Sequence, residues 1–294
     1  MSSKINRIIK KMNSYSDTKC ICGSSDCKRI FAGNFNRNGP KDYYFQILKC
    51  KNCGLARTHP ALDINKARED AVYSFCDNIA LEEKDNVWAK TIAQTAKKYV
   101  SSGNVLDIGC YAGKLLEEVE KEGFKAYGIE LYSHAAEYGR KKGRNIFSGE
   151  VYDARFEDGF FSCVVVNHVF EHIQEPVKFI KEINRILKSN GILIINLPTH
   201  DSLMRIIMGR NWLQWTPYVH AFFYTQKTLN DTITQNSGFE PVFIHQKGRL
   251  EPPTDNWFKN KLKDFIANFA SLINKGEQIE AIYRKAQPAG GLKF

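Results

Sequence analysis

No apolar run in this chain approaches the ~20 consecutive residues that a membrane-spanning helix needs. The longest, such as 160–166, have only the length of a strand. The N-terminus is basic but lacks the continuous apolar core of a secretory signal. Both absences point to a cytoplasmic protein. Compositional extremes are missing too: 43% hydrophobic and 25% charged residues exclude a disordered chain. Acidic residues are scarce at one end. The first 60 residues hold 3 Asp/Glu against 12 Lys/Arg, so nine of the ten net positive charges lie there. That excess either meets an anionic partner such as RNA, phospholipid or a nucleotide-linked substrate, or is simply a solvated basic face. Cysteine is sparse except in one place, with five of the eight between positions 20 and 53. Without a secretion signal, such clustering suggests a metal site rather than disulfides.

What is present begins with two cysteine knuckles, Cys20-Ile-Cys22-Gly23 and Cys50-Lys-Asn-Cys53-Gly54. Glycine after the second cysteine of each lets the backbone turn tightly, so that amides can point at the sulfurs. Turn residues and a strand-like run at 43–48 lie between them. Cys20, Cys22, Cys50 and Cys53 are therefore expected to hold one structural zinc ion, all-thiolate and closed to water. The first knuckle has an unusually short spacing, and Cys27 could replace Cys20 as the fourth ligand. So short a module has little core of its own and needs a staple.

The 294 residues suit one α/β domain plus this module. The divisions expected are 1–60 for the basic segment and zinc-binding module, 61–102 for a helical linker or cap, and 103–294 for the main domain. Helical spacing predicts helices at 64–75 and 82–100. From 103, strand and helix alternate: strands at 104–108, 125–130, 161–167 and 191–197, a short one near Asn145, and helices at 112–122, 133–142 and 175–187. Such alternation implies a mostly parallel sheet covered on both faces, with its ligand cleft at the carboxyl ends of the strands. A helix at 226–237 and strands at 240–246 and 278–285 follow. Between those strands, 257–273 carries Phe258, Leu262, Phe265, Ile266, Phe269 and Leu272 on one helical face. This face packs on the domain, or serves as a lid, dimer face or membrane contact.

Four segments carry a family resemblance. Val105-Leu-Asp-Ile-Gly-Cys-Tyr-Ala-Gly113 sits at the first strand-to-helix turn, and Tyr127-Gly-Ile-Glu130 ends the second strand. Asn167-His-Val-Phe-Glu-His172 follows the fourth strand, and Leu187-Lys-Ser-Asn-Gly-Ile-Leu193 leads into the fifth. Together they resemble the class I S-adenosylmethionine-dependent methyltransferases of the ubiquinone-type, small-molecule group, in particular the subgroup with an N-terminal zinc ribbon. The resemblance implies a Rossmann-like α/β domain with a seven-stranded, mostly parallel sheet. It implies that Asp107, Gly109 and Gly113 hold the methionine portion of S-adenosylmethionine, Glu130 the ribose and Glu150 the adenine amino group. Cys110, Tyr111, Leu131, Val151 and Asn167 adjoin them and are expected in the same pocket. Tyr111 stands where the family usually has glycine, and Ser162 where it usually has an acid.

A hydroxyl acceptor must lose its proton as the methyl group arrives, commonly to His or a carboxylate. Two histidines qualify: His220, in an aromatic segment resembling the family's Pro-x-x-His-x-x-x-Phe stretch, and His168, at the end of the fourth strand. Glu171 and His172 are expected to orient the next helix. Trp212, Trp215, Tyr218 and Phe222 are expected to form an apolar wall of the acceptor pocket. The leading expectation is methyl transfer to a small-molecule hydroxyl, on a sugar, nucleotide-sugar or related metabolite. An RNA methyltransferase gripping phosphates through its basic module is the alternative, although the fourth motif lacks an Asn-Pro-Pro-Tyr-type sequence. A non-catalytic scaffold, motivated by Tyr111, is the third.

Overall fold

The computed structural model describes residues 19–34, 44–60, 87–212, 214–248 and 257–287. The helix expected at 64–75, the start of that at 82–100, and the basic segment 1–18 lie outside the described residues.

The main sheet grows from β7 (Phe161–Asn167), whose first six residues are all buried. Beside it on one side lie β4 (Asn104–Ile108), β5 (Lys125–Glu130) and β6 (Ile146–Ser148), all parallel. On the other side lie β8 (Leu187–Pro198), parallel to β7, then β11 (Gln278–Lys285) and β10 (Phe239–Lys247). The order β6-β5-β4-β7-β8-β11-β10 makes a seven-stranded sheet in which β11 runs antiparallel to both neighbours. Both faces are covered, which is why the inner strands read as continuous apolar runs rather than alternating ones.

The helices bury the stripe their spacing defines. In α1 (Val87–Tyr99), Ala89, Ile92, Ala93 and Ala96 are buried. Leu115, Leu116 and Val119 do the same in α2 (Lys114–Lys121), and α3 (Ser133–Lys141) buries Ala135 and Ala136. α4 (Pro176–Ile186) starts on proline, whose fixed φ and missing N–H suit a first helical position, and buries Phe179, Ile180, Ile183 and Ile186. α5 (Leu203–Met208) is short. α6 (Gln226–Thr234) is closed by a reciprocal box between Thr225 and Thr228.

Two differences from the expected elements have physical causes. β8 begins at Leu187 rather than 191: Leu187 pairs with Phe161, residues 188–190 bulge outward exposed, and pairing resumes at Ile192 opposite Cys163. In α7 (Trp257–Leu272) four large apolar residues of the expected stripe face outward. Ala267 and Ala270 are buried, whereas Leu262, Phe265, Phe269 and Leu272 are exposed.

A second sheet, antiparallel, contains β1 (Cys27–Asn34), β2 (Tyr44–Cys50) and β3 (Ala56–His59) from the N-terminal module. Its fourth strand comes from far along the chain: β9 (Phe222–Phe223) pairs with β3, Ala56 opposite Phe223 and Arg57 opposite Phe222. Thr58 extends the seam. Its N–H donates to the Ala221 carbonyl (3.0 Å) and its hydroxyl to the His220 carbonyl (2.7 Å). The seam is sealed by Ile47, Ala56, Trp212, Trp215 and Phe223, all buried. Trp212 and Trp215 therefore fill a joint rather than lining an open wall. Their indole N–H groups donate to Glu277 Oε1 and the Gly209 carbonyl, both at 3.0 Å.

A third tie is His200, just beyond β8. Its amide donates to the Tyr224 carbonyl (3.1 Å), and its Nδ1 lies 3.2 Å from the same oxygen. Burial pushes this histidine from an ordinary 6.5 down to about 4, against the opposing effects of the Tyr224 carbonyl and the Asp201 charge. Between those values the unfolded chain binds the extra proton. Stability gained by keeping the ring neutral is whole above about pH 6.5 and is lost as pH falls towards 4. His200→Asn should flatten the stability curve in that window by up to ~1.4 kcal/mol per pH unit. Urea denaturation at a series of pH values reads the slope, and an unaltered slope would show that His200 is not held neutral.

Candidate functional site

From β4 the chain runs outward through β5 and β6, then returns to lay β7 on the opposite flank of β4. The carboxyl ends of β4 and β7 thus diverge at the topological switch point, where open α/β sheets bind ligands. Asp107 is buried in β4. After it, the amides of Gly109 and Cys110 both donate to the Ile129 carbonyl, at 2.8 and 3.0 Å, tying the loop to the end of β5. Gly109 has φ 76°, and a Cβ there would come within 2.4 Å of Val169 Cγ2. Cys110 turns inward, its sulfur seated over Gly128, so it offers the cleft its backbone rather than its thiol.

Tyr111 occupies the left-handed region at φ 52°, a conformation that explains why glycine suits this position. Its amide donates to Glu130 Oε2 (2.8 Å), and the Tyr132 amide donates to Oε1 (2.7 Å). Two main-chain donors fix the Glu130 carboxylate and leave its other lone pairs for hydroxyl groups of a ligand. Gly113 precedes α2, exposed Leu131 follows Glu130, and exposed Glu150 and buried Val151 form the turn after β6. Asn167 ends β7, its Oδ1 accepting from Asn196 Nδ2 at 3.1 Å. All ten residues expected to touch the cofactor thus fall at the carboxyl edge of β4, β5, β6 and β7.

The acceptor side is built differently from the expectation. His168 leaves β7 with φ 54°, a strained conformation for a side chain of this size, and its amide donates to the Asn196 carbonyl at 2.8 Å. The 3₁₀ turn Phe170–His172 then drives Glu171 into the protein. This carboxylate is 2% exposed, with Oε1 at 3.6 Å from His168 Nδ1 and 3.9 Å from His172 Nε2. Its Oε2 is buried without a hydrogen-bond partner. The Ala221 amide donates to the Glu171 carbonyl (2.8 Å), which brings buried His220 alongside, its ring centroid 5.0 Å from that of His172.

Burial opposes ionisation of Glu171, but the neighbouring His168, His172 and His220 outweigh it and hold the carboxyl at about 2. Burial pushes His220 down to about 3, helped by His172 and opposed by Glu171. A histidine so reluctant to take a proton is a weak general base near neutral pH. His168, half-exposed at the cleft, is the better placed of the two expected bases. Glu171 and His172, expected only to orient a helix, belong to the same cluster. The signal for them was the Glu-His pair immediately following a strand end.

The N-terminal module gathers four thiols. Cys20 Sγ lies 3.5 Å from Cys53 Sγ, and Cys22 Sγ lies 3.7 Å from Cys50 Sγ; all four fall within 4.8 Å of one another. A tetrahedral zinc ion with bonds of about 2.3 Å separates its thiolates by about 3.8 Å, so the donor set fits. The two knuckles match in conformation, Gly23 and Gly54 both having φ 83°. Cys27 is outside the group, its sulfur taking Arg57 Nη2 at 3.8 Å. Burial pushes Cys20 up and Cys53 up to about 11. Burial acts the same way on Cys50, but the amides of Cys53 and Asn52 overcome it and bring that thiol down to about 6.

This fold, with a glycine-containing loop after its first parallel strand and an acid ending the second, is one that S-adenosylmethionine-dependent methyltransferases share. A family model described as a methyltransferase domain matches residues 80–243, more than half of the chain, and the chain belongs to that family. An uncharacterised protein of Methanocaldococcus jannaschii is 25% identical over 54% of this chain and 76% of its own length. A ubiquinone biosynthesis O-methyltransferase of Cereibacter sphaeroides is 25% identical over 57% of this chain and 71% of its own. A solved S-adenosylmethionine-dependent methyltransferase from Archaeoglobus fulgidus superposes with a TM-score of 0.51 at 20% identity, covering 72% of this chain and all of that one.

The contact between Gly109 and Val169 joins the two halves of the cleft and can be tested by a cycle. Gly109→Ala should destabilise the protein by about 1–3 kcal/mol, part from the positive φ and part from the clash. Adding Val169→Ala should return the steric part alone. Denaturation midpoints of the single and double variants measure this, and full additivity would mean that the two residues do not touch.

Proposed function

We propose that this chain transfers the methyl group of S-adenosylmethionine to a hydroxyl of a small-molecule acceptor, on a sugar, nucleotide-sugar or related metabolite. The observation that carries this reading is the buried Glu171 carboxylate ringed by His168, His172 and His220 at the end of β7, beside the loop that receives the cofactor. Asp107, Gly109 and Gly113 hold the methionine portion, Glu130 the ribose hydroxyls and Glu150 the adenine edge. His168 accepts the acceptor's proton as its oxygen attacks the methyl carbon. The C–S bond breaks with its electrons to sulfur, giving a methyl ether and uncharged S-adenosylhomocysteine, and His168 passes the proton to water. Glu171 orients His168 and stabilises its charged form. Among the described residues no helix is long and apolar enough to cross a membrane. A reducing, cytoplasmic compartment suits the thiols.

Cys20, Cys22, Cys50 and Cys53 hold a structural zinc, with Cys20 and not Cys27 as the fourth ligand on the strength of the sulfur distances. When bound, the ion supplies charge neutralisation for four thiolates and no open coordination site. Cys50→Ser combined with Cys53→Ser should reduce bound zinc from one ion per chain to none by elemental analysis. Cys27→Ser should leave the content at one. Zinc lost in Cys27→Ser but kept in the double variant would reverse the assignment.

Calorimetric titration with S-adenosylhomocysteine should show one site, abolished by Asp107→Ala and weakened by Glu130→Ala. His168→Ala should keep that affinity while lowering kcat by roughly 10²–10⁴-fold on an accepted hydroxyl substrate. Full turnover in His168→Ala would remove its role as base.

A further inference from the structure

α7 is fixed to the domain by its small residues. Ala267 and Ala270 are buried. The Gly248 amide donates to Ser271 Oγ (3.0 Å), which in turn donates to the Ala267 carbonyl (2.7 Å). Just past the helix, Asn274 Oδ1 accepts from the Gln246 amide in β10 (2.7 Å) and from Gln226 Nε2 (2.9 Å). The large residues point the other way: Leu262, Phe265, Phe269 and Leu272 are between 50% and 82% exposed. A helix that only had to cover the sheet would turn these four inward, because their burial stabilises far more than that of alanine. Held outward on an anchored helix, they form a preorganised apolar surface.

Their spacing defines what fits. The four follow one another at steps of three, four and three residues, the strict repeat of a coiled-coil seam, so the fitting partner is another α-helix. Both the steps and the residue order, Leu-Phe-Phe-Leu, read the same from either end. An antiparallel twofold axis midway between Phe265 and Phe269 therefore sets Leu262 against the second copy's Leu272, and Phe265 against the second copy's Phe269. Such self-complementarity is what an isologous interface requires. The charges agree with it. Lys261 flanks the stripe and, in the antiparallel pair, lies level with the second copy's Ile273, an exposed apolar residue that its alkyl stem can cover. The two copies of Lys261 then stand about 18 Å apart along the axis, beyond the ~10 Å over which exposed charges interact at ordinary salt. A parallel pair would bring them to the same level.

We propose that α7 is a homodimerisation helix, through which two copies of this chain associate as an antiparallel α7–α7 pair centred on Phe265 and Phe269. Four phenylalanine rings, two from each copy, make the middle of the interface, where buried aromatic residues dominate affinity. Leu262 and Leu272 close its two ends. α7 spans 16 residues, about 24 Å, a little over two heptads. A free coiled coil of that length is marginal, because each helix must form before it can pair. α7 is already helical and held by the domain, so that cost is absent. The proposal is independent of the reaction, of its cofactor and of the thiol cluster.

The test is sedimentation equilibrium of the full chain over a range of concentrations. The wild type is expected to form a reversible dimer of twice the chain mass. Phe265→Glu and Phe269→Lys should each weaken association roughly 30-fold or more. Both lie on the exposed face of the helix, so the variant monomers fold, and circular dichroism spectra matching the wild type check this. Phe265→Glu combined with Phe269→Lys sets opposite charges against each other only in the antiparallel register. The combination should associate about tenfold more tightly than either single variant. A wild type that is monomeric at every concentration would overturn the proposal, as would a dimer indifferent to both single substitutions. A combined variant no tighter than the singles would overturn the antiparallel pairing. A monomeric wild type that sediments with vesicles of phosphatidylserine and phosphatidylcholine, and loses them in Phe265→Glu, would give the stripe to a lipid surface and overturn the dimer.

Discussion

The seam between β3 and β9 is the constraint on which the acceptor side depends. Thr58 grips the main chain at His220 and Ala221, and Ala221 in turn donates to the Glu171 carbonyl. Three segments are thereby stacked: the N-terminal module and, more than a hundred residues further along the chain, the turn carrying Glu171 and the segment carrying His220. None of these hydrogen bonds involves a reactive group. They set the distance between reactive groups. A buried hydroxyl-to-carbonyl bond is worth about 1 kcal/mol net, but leaving that carbonyl unpaired costs more. The N-terminal module is therefore part of the frame of the cleft.

The other half of the cleft is fixed by close backbone approach. Gly109 lets Val169 press against the loop after β4, while Glu130 clamps Tyr111 and Tyr132 through their amides. Tyr111 holds a left-handed turn that glycine would adopt without strain. The same αL conformation appears at His168 on the facing strand end. Two bulky residues in strained conformations on either side of one cleft are what a site, rather than a core, is expected to show.

The main sheet was legible because its signals are local. β5 and β7 have the predicted bounds, since a run of apolar residues ending at an asparagine or an acid fixes a strand without outside help. The glycine loop and Glu130 were legible for the same reason. β9 was not: two residues, Phe222 and Phe223, carry no strand signal, and their conformation is imposed by β3, over 160 residues away. The roles of Trp212 and Trp215 were hidden with it, because an aromatic cluster reads alike whether it lines a pocket or seals a joint. The histidines around Glu171 were hidden for a related reason. A charged residue at the start of a helix usually serves the helix, and only the arrival of His220 through the seam turns it into the centre of a cluster.

Tyr224 shows how closely the two centres are joined. Its ring stacks on Phe170 at 5.2 Å, it is fully buried, and its hydroxyl has no hydrogen-bond partner. Burial raises its pKa, and the charges of both Glu171 and Cys20 raise it further. One side chain thus feels the carboxylate of the acceptor side and the thiol of the N-terminal knuckle at once. The N-terminal module bears on the turn carrying Glu171 through the hydrogen-bonded seam that sets positions. A module that looked separable in sequence is joined by geometry to the end of β7.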